Sequence, residues 1–314
     1  MDEAVEFFSE GVKVRGYLTM PEKAGESDGL PGVVMCHGFG CTAAMDFPEH
    51  AARLADNGYA VLRFDYRHWG QSDGEPRNVL MPLREVEDVR NALTFMQQQS
   101  GINPERLGIW GASFGGSVAI YTGAIDKRAK AIVATVPVTN GRRWIESVNT
   151  QFDMQRILGE IEHDRQRRLA EGDSKFVPLL EFRPADPSPS AAAWVERHAA
   201  ILGDRTTSWR SVEAILEFAA DTVADQIAPR ALLVIAAPLD TIAPWEQAQL
   251  AYDGAGQPKR LVALPPDVEH FDAYLEPTLS IVMEEVVGWF DEYLNSSVWM
   301  SLDARTNRPA LPVA

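Results

Sequence analysis

Short apolar runs and helix-period stripes alternate along most of this chain. Gly32-Val-Val-Met-Cys36, Tyr59-Ala-Val-Leu-Arg-Phe64, Arg106-Leu-Gly-Ile-Trp110, Ala129-Lys-Ala-Ile-Val-Ala-Thr135 and Ala231-Leu-Leu-Val-Ile-Ala236 are brief, apolar and partly β-branched, the pattern of strands covered on both faces. Between them lie helical stretches. The clearest places Leu83, Val86, Val89, Leu93 and Met96 at spacings of three and four, on one helix face. Alternating strands and helices predict an α/β fold with a mostly parallel central sheet. Ahead of it, residues 4–9 and 12–19 flank Glu10-Gly11 and stop at Pro21, which predicts an N-terminal antiparallel hairpin. A closing helix is expected from Leu279 to Leu294, with Ile281, Val282, Val286, Trp289, Phe290 and Tyr293 turned inward.

The alternation stops between about residues 140 and 226. No β-run is visible there, and Pro178, Pro184, Pro187 and Pro189 punctuate polar helical segments. The pattern predicts a mainly helical cap, residues 140–225, inserted into a core made of 1–139 and 226–314. Glu160 to Arg168 reads as a solvated helix face. Trp144, Phe152, Trp194 and Trp209 fall in the insertion; such residues usually pack, but under a cap they are also candidate substrate contacts. Beyond the last helix, Val298, Trp299 and Met300 are apolar enough to pack on the body or on a second copy in a homodimer, and the sequence leaves both open.

Composition narrows the partners. With 29 Lys plus Arg against 45 Asp plus Glu the net charge is −16, which repels nucleic acid and anionic membrane surfaces. No apolar run approaches a membrane span, and Met-Asp-Glu-Ala-Val-Glu is acidic where a signal peptide needs a basic start, so a cytoplasmic protein is expected. Cys36 and Cys41 are too few for a disulfide framework and lack the company that a zinc site needs. No metal or cofactor is expected.

Chemistry enters at Gly111-Ala112-Ser113-Phe114-Gly115-Gly116, a Gly-x-Ser-x-Gly between a strand and a helix. The bare motif is moderate evidence; its position is stronger. A sharp strand-to-helix turn lifts the central side chain above the sheet, and the glycines let backbones approach. A serine hydroxyl is a weak nucleophile, so it needs a base and an acid that orients the base. Asp240, in the turn after Ala231–Ala236, is the candidate acid, and His270, in the loop before the closing helix, is the candidate base. The order Ser, Asp, His at successive strand ends reinforces each assignment. Attack on a carbonyl also calls for oxyanion donors. The backbone N–H groups of Phe114 and of Phe39, within His37-Gly38-Phe39-Gly40-Cys41, are assigned to that task. His37 and His68 read as loop braces, with Asp65 and Arg67 fixing the second loop.

These segments together (HGFG, DYRHWGQS, GASFGG, LDTIAP and VEHF) resemble the α/β-hydrolase superfamily over nearly the whole chain. The hairpin and the Asp-x-Arg loop are more similar to the dienelactone-hydrolase and acyl-peptidase side, including bacterial proteins akin to polyketide transferases, than to lipases. His68 departs from the glycine that many relatives carry there. The resemblance implies an α/β-hydrolase fold and an acyl-enzyme mechanism on an ester, thioester or amide; C–C hydrolysis and acyl transfer stay open, since a fold alone fixes no substrate. The cap aromatics favour a small-molecule acyl substrate that is apolar, aromatic or of medium chain length. A rival reading also stands in the sequence: Gly38-x-Gly40-x-x-Ala43 after a strand, with Asp65 ending the next, fits a dinucleotide-binding fingerprint. A non-catalytic binding protein on the same fold is a third.

Overall fold

The opening residues pair with themselves. β1 (Asp2–Ser9) and β2 (Val12–Thr19) form the expected antiparallel hairpin, and the two turn residues, Glu10 at φ 48° and Gly11 at φ 83°, are both left-handed, as a tight hairpin turn requires. This is seen in a computed structural model, which describes residues 2–22, 28–184, 188–203 and 205–295.

The chain then alternates through β3 (Leu30–Cys36), α1 (Phe47–Asp56), β4 (Ala60–Phe64), α2 (Pro82–Gln97), β5 (Ile102–Ala112), α3 (Phe114–Ile125) and β6 (Ala129–Thr135). An inserted segment carries α4 (Gly141–Val148), α5 (Gln151–Glu171), β7 (Phe176–Pro178), α6 (Pro189–Leu202), β8 (Thr206–Ser208) and α7 (Trp209–Glu217). The sheet resumes with β9 (Ala231–Ala236), α8 (Trp245–Gly254), β10 (Lys259–Ala263) and α9 (Thr278–Leu294). Eight strands stand in the order β1-β2-β4-β3-β5-β6-β9-β10, and all pairs from β4 to β10 are parallel.

Strand period explains why the central runs are apolar throughout. Along β3, Val34 and Cys36 join the apolar layer under α2 and α3, while Val33 and Met35 join the layer under α1 and α9. β9 divides in the same way, Leu232 and Val234 to one side and Leu233 and Ile235 to the other. Both faces of these two strands are covered, and neither carries a polar side chain; in β4 the buried Arg63 is accommodated by bonds to Ala43 O and Asp2.

The insertion departs from expectation in one respect. It holds β-structure, β7 and β8 paired antiparallel, in runs of three residues that are too short to stand out as patterns. Its Ile145, Ile157 and Val212 belong to the same apolar cluster as Val118 and Ile120 of α3. Its helices carry clear start and stop signals. Thr150 and Asp153 form a capping box and Gly172 at φ 87° ends α5; Ser188 caps α6 ahead of Pro189. Within the charged stretch 160–168, Asp164 is buried and accepts from Arg168, Ser174 and the Lys175 N–H, so that face is not wholly solvated.

Smaller differences are local. β5 begins at Ile102, ahead of Arg106, and Leu83 and Ile281 face solvent. Pro187 and the tail residues Val298, Trp299 and Met300 lie outside the described residues. No helix among the described residues is long and apolar enough to cross a membrane.

Candidate active site

Ser113 occupies the turn between β5 and α3 with φ 55° and ψ −126°. A side chain on Gly111 would collide with the Gly115 carbonyl, and one on Gly115 with the Cys36 carbonyl at the end of β3. Both glycines are therefore required by backbone proximity. The turn is held by Ser113 N–H to Thr135 O at 3.0 Å and by Val138 N–H to Ser113 O at 3.1 Å, which tie it to the end of β6 and the loop that follows.

Asp240 stands after β9. One carboxylate oxygen accepts from the Ile242 and Ala243 N–H groups at 2.8 and 2.6 Å, and the other lies 2.6 Å from Nδ1 of His270. Both side chains are almost wholly buried. Nδ1 is thus the donor nitrogen and Nε2 is left as an acceptor. The competing acids of the same loop have other placements: Asp272 receives the Glu269 N–H at 2.9 Å, and Asp267 is exposed. Ser113 and His270 line one cavity, and the structure has no hydrogen bond between the serine hydroxyl and the imidazole. Contacts of this kind tighten on substrate binding.

The loop after β3 turns at Gly38 to Cys41, closed by Cys41 N–H to Gly38 O at 3.1 Å, with Gly40 at φ 70°. A positive φ at the third residue is what a type II turn demands. Phe39 lies at its corner, on the cavity wall. Phe114 is the first residue of α3, where an N–H has no intrahelical acceptor. His37 braces this loop: Nδ1 lies 3.0 Å from Gly38 O, Nε2 receives the Tyr66 N–H at 3.4 Å, and burial holds its pKa below the ordinary histidine value. Asp65 joins two loops by accepting from Ala43 and Gln71 N–H groups, and Arg67 pairs with Asp88 of α2.

The cavity has a volume of about 700 Å³, in the range of small-molecule sites. Of the four aromatic residues expected in it, Trp144 and Trp194 line it. Trp194 stacks on Phe271, the neighbour of His270, with ring centres 4.4 Å apart. Phe152 is 77% exposed on α5, and Trp209 is buried in the shared core; neither reaches the cavity. Both expectations rested on residue type in a segment whose facing direction has no clear periodicity. The sequence reading missed Asp46, which accepts from Trp194 Nε1 at 2.8 Å and contacts His198 Nε2 at 2.9 Å, and it missed Leu179 and Arg205, which also line the cavity. Cys41 also lines the cavity, and burial pushes its thiol up to about 12, away from the range of a reactive thiolate.

The dinucleotide reading fits this geometry poorly. α1 starts at Phe47, well after Gly38 and Gly40, so no helix N-terminus meets that turn, and both Asp65 carboxylate oxygens are engaged by backbone N–H groups.

Comparison with known proteins adds the following. A family model described as serine aminopeptidase, S33, matches residues 31–271. Thiohydrolase aneE of Aspergillus aculeatus is 36% identical over 167 residues, 53% of this chain and 49% of the relative. The quorum-quenching protein AidA of Acinetobacter baumannii is 39% identical over 175 residues, 56% of each. These matches span about half the length of those curated relatives. The crystal structure of the α/β hydrolase GrgF from Penicillium sp. sh18 superposes with a TM-score of 0.78 at 25% identity, covering 94% of this chain and 100% of that one.

Proposed function

The chain belongs to the serine aminopeptidase S33 family of α/β hydrolases, and from that premise we propose that it cleaves a carboxylic ester, or a related acyl bond, through an acyl-enzyme intermediate on Ser113. The observation that carries the reading is the 2.6 Å contact between His270 and Asp240, at a cavity lined also by a serine held at φ 55°.

The chemistry runs in two halves. Ser113 Oγ attacks the acyl carbon while Nε2 of His270 takes its proton, and the oxygen of the tetrahedral intermediate becomes negative. The N–H groups of Phe39 and Phe114 receive that charge. His270 then protonates the departing alcohol or thiol, leaving the acyl group on Ser113. Water, deprotonated by the same nitrogen, attacks the ester, and the acid leaves as Ser113 regains its proton. Asp240 keeps Nδ1 protonated and stabilises the imidazolium. It is fixed for this by the two backbone N–H groups on its other oxygen. Residues 140–225 act as a cap over the carboxyl edge of the sheet, with Trp144, Leu179 and Trp194 forming an apolar wall for the acyl group.

Thioester cleavage is the second reading, favoured by the similarity to thiohydrolase aneE. One series tests both: p-nitrophenyl esters from acetate to decanoate beside the N-acetylcysteamine thioesters of the same acids, with Ser113→Ala purified in parallel. The expected result is turnover with an optimum beyond acetate and a loss of at least about 10³-fold in the variant. Activity retained in Ser113→Ala would contradict the nucleophile assignment.

A further inference from the structure

The geometry points to Arg205 as a positioning residue: from the inserted segment it holds the Gly40 carbonyl and so fixes the turn that presents the Phe39 N–H to the oxyanion. This rests on the proposed acyl-enzyme reading and adds a task for the insertion beyond covering the substrate.

The turn from Gly38 to Cys41 is short of internal restraint. Its one internal backbone bond, Cys41 N–H to Gly38 O, closes the ends and leaves the corner peptides to be set from outside. Two groups of the insertion do this. Arg205 Nη1 donates to the Gly40 carbonyl while Nη2 donates to Ile201 O at 3.0 Å, so the guanidinium bridges the end of α6 and the loop. Leu179 packs on the other side: a Cβ placed on Gly40 would lie 2.5 Å from its Cδ2. The two clamps are themselves joined, since Leu179 N–H donates to Arg205 O at 3.1 Å beside the β7–β8 pair. Phe39 is wedged edge-on against Phe182 and Trp69, at 5.6 and 6.4 Å between centres, and the Arg205 guanidinium lies 6.0 Å from the Trp69 ring.

An oxyanion donor lowers a barrier only if it is already in place when charge develops, and a misplacement near 1 Å can cost about 10²-fold in rate. A carbonyl bonded to a charged, planar donor is held more firmly than one bonded to water. Removing the guanidinium from water is unfavourable and lowers its pKa, and the two backbone acceptors offset that loss. On the Phe114 side the insertion supplies ring packing, with Trp144 and Phe218 at 6.5 and 6.1 Å between centres, while the N–H itself is set by the first turn of α3. The hydrogen-bonded tie from Arg205 falls on the Phe39 side.

The test compares Arg205→Met, Arg205→Lys and wild type on p-nitrophenyl butyrate, together with the rate at which a fluorophosphonate modifies Ser113. Met fills the volume without a donor; Lys keeps a charge and an N–H. Melting curves establish that the variants are folded, and Arg205→Ala stands in if Met does not fold. The expected outcome is a kcat about 10- to 100-fold lower for Arg205→Met with KM changed less than about threefold, phosphonylation slowed in parallel, and partial recovery in Arg205→Lys. A kcat within twofold of wild type, or an effect confined to KM, would overturn the inference and make Arg205 a packing or substrate-contact residue. A wild type that takes up no phosphonate would overturn the serine nucleophile itself, and this inference with it.

Discussion

A φ of 55° costs a serine about 1–3 kcal/mol, and the surrounding structure has to impose it. At Ser113 the imposing parts are visible: glycines on either side whose side chains would strike backbone, and hydrogen bonds to the strand and loop next door. This is why Gly-x-Ser-x-Gly between a strand and a helix could be read so directly. The position of Asp240 was readable for a different reason, since an acid in a turn after a parallel strand has few places to go except the carboxyl edge of the sheet. Asp240→Asn should lower kcat by about 10²- to 10⁴-fold, because the amide can donate to Nδ1 and so permits the wrong imidazole tautomer. Steady-state kinetics of Asp240→Asn beside Asp272→Asn check this; greater sensitivity at Asp272 would reassign the acid. Arg205 carried no such signal. An arginine near a helix end is commonplace, and only the folded path of the insertion brings it to Gly40.

At the scale of elements, α2 shows what a residue pattern hides. Its apolar stripe reads correctly from Val86 to Met96, yet Leu83, in the first turn, faces solvent while Glu85 is buried. Burial, and then the neighbouring Asp88 carboxylate, push the Glu85 pKa well above its usual range, against the smaller opposite pull of Arg67. The sign of the consequence is fixed. A carboxyl whose folded pKa is raised stabilises fully below the unfolded value of 4.5, and that contribution is lost as pH rises through the folded value. Glu85→Gln should therefore raise the melting temperature by about 2–4 °C at pH 8 and by less at pH 4. Melting curves at the two pH values decide it, and an equal shift at both would contradict the account. The strands reveal another kind of concealment. β5 starts at Ile102 because its polar first residues, Asn103 to Arg106, lie beyond the doubly covered part of the sheet, and β7 and β8 are too short to have a period.

For the molecule as a whole, the parallel sheet and its hairpin were legible because the central strands are covered on both faces and are almost wholly apolar, Arg63 of β4 being a buried exception. The insertion was legible only as an interruption. Its inward residues merge into the core above α3, so its aromatic residues divide between packing, exposure and the cavity wall in a way that composition does not determine. The net charge of −16 is a property of the whole chain, whereas substrate choice belongs to a cavity that charge counting does not describe. What unites the scales is one claim, that an acyl group is carried on Ser113 and that the sheet, the His270–Asp240 pair and the insertion converge to place it there. The most direct measurement is rapid acid quench of the enzyme with excess p-nitrophenyl butyrate, followed by intact-mass and peptide-mapping mass spectrometry. The account predicts a single butyryl group, added to the peptide that contains Ser113 and located on that residue, with none on Ser113→Ala. Butyrylation at another residue, or undiminished turnover by the Ser113→Ala enzyme, would contradict it.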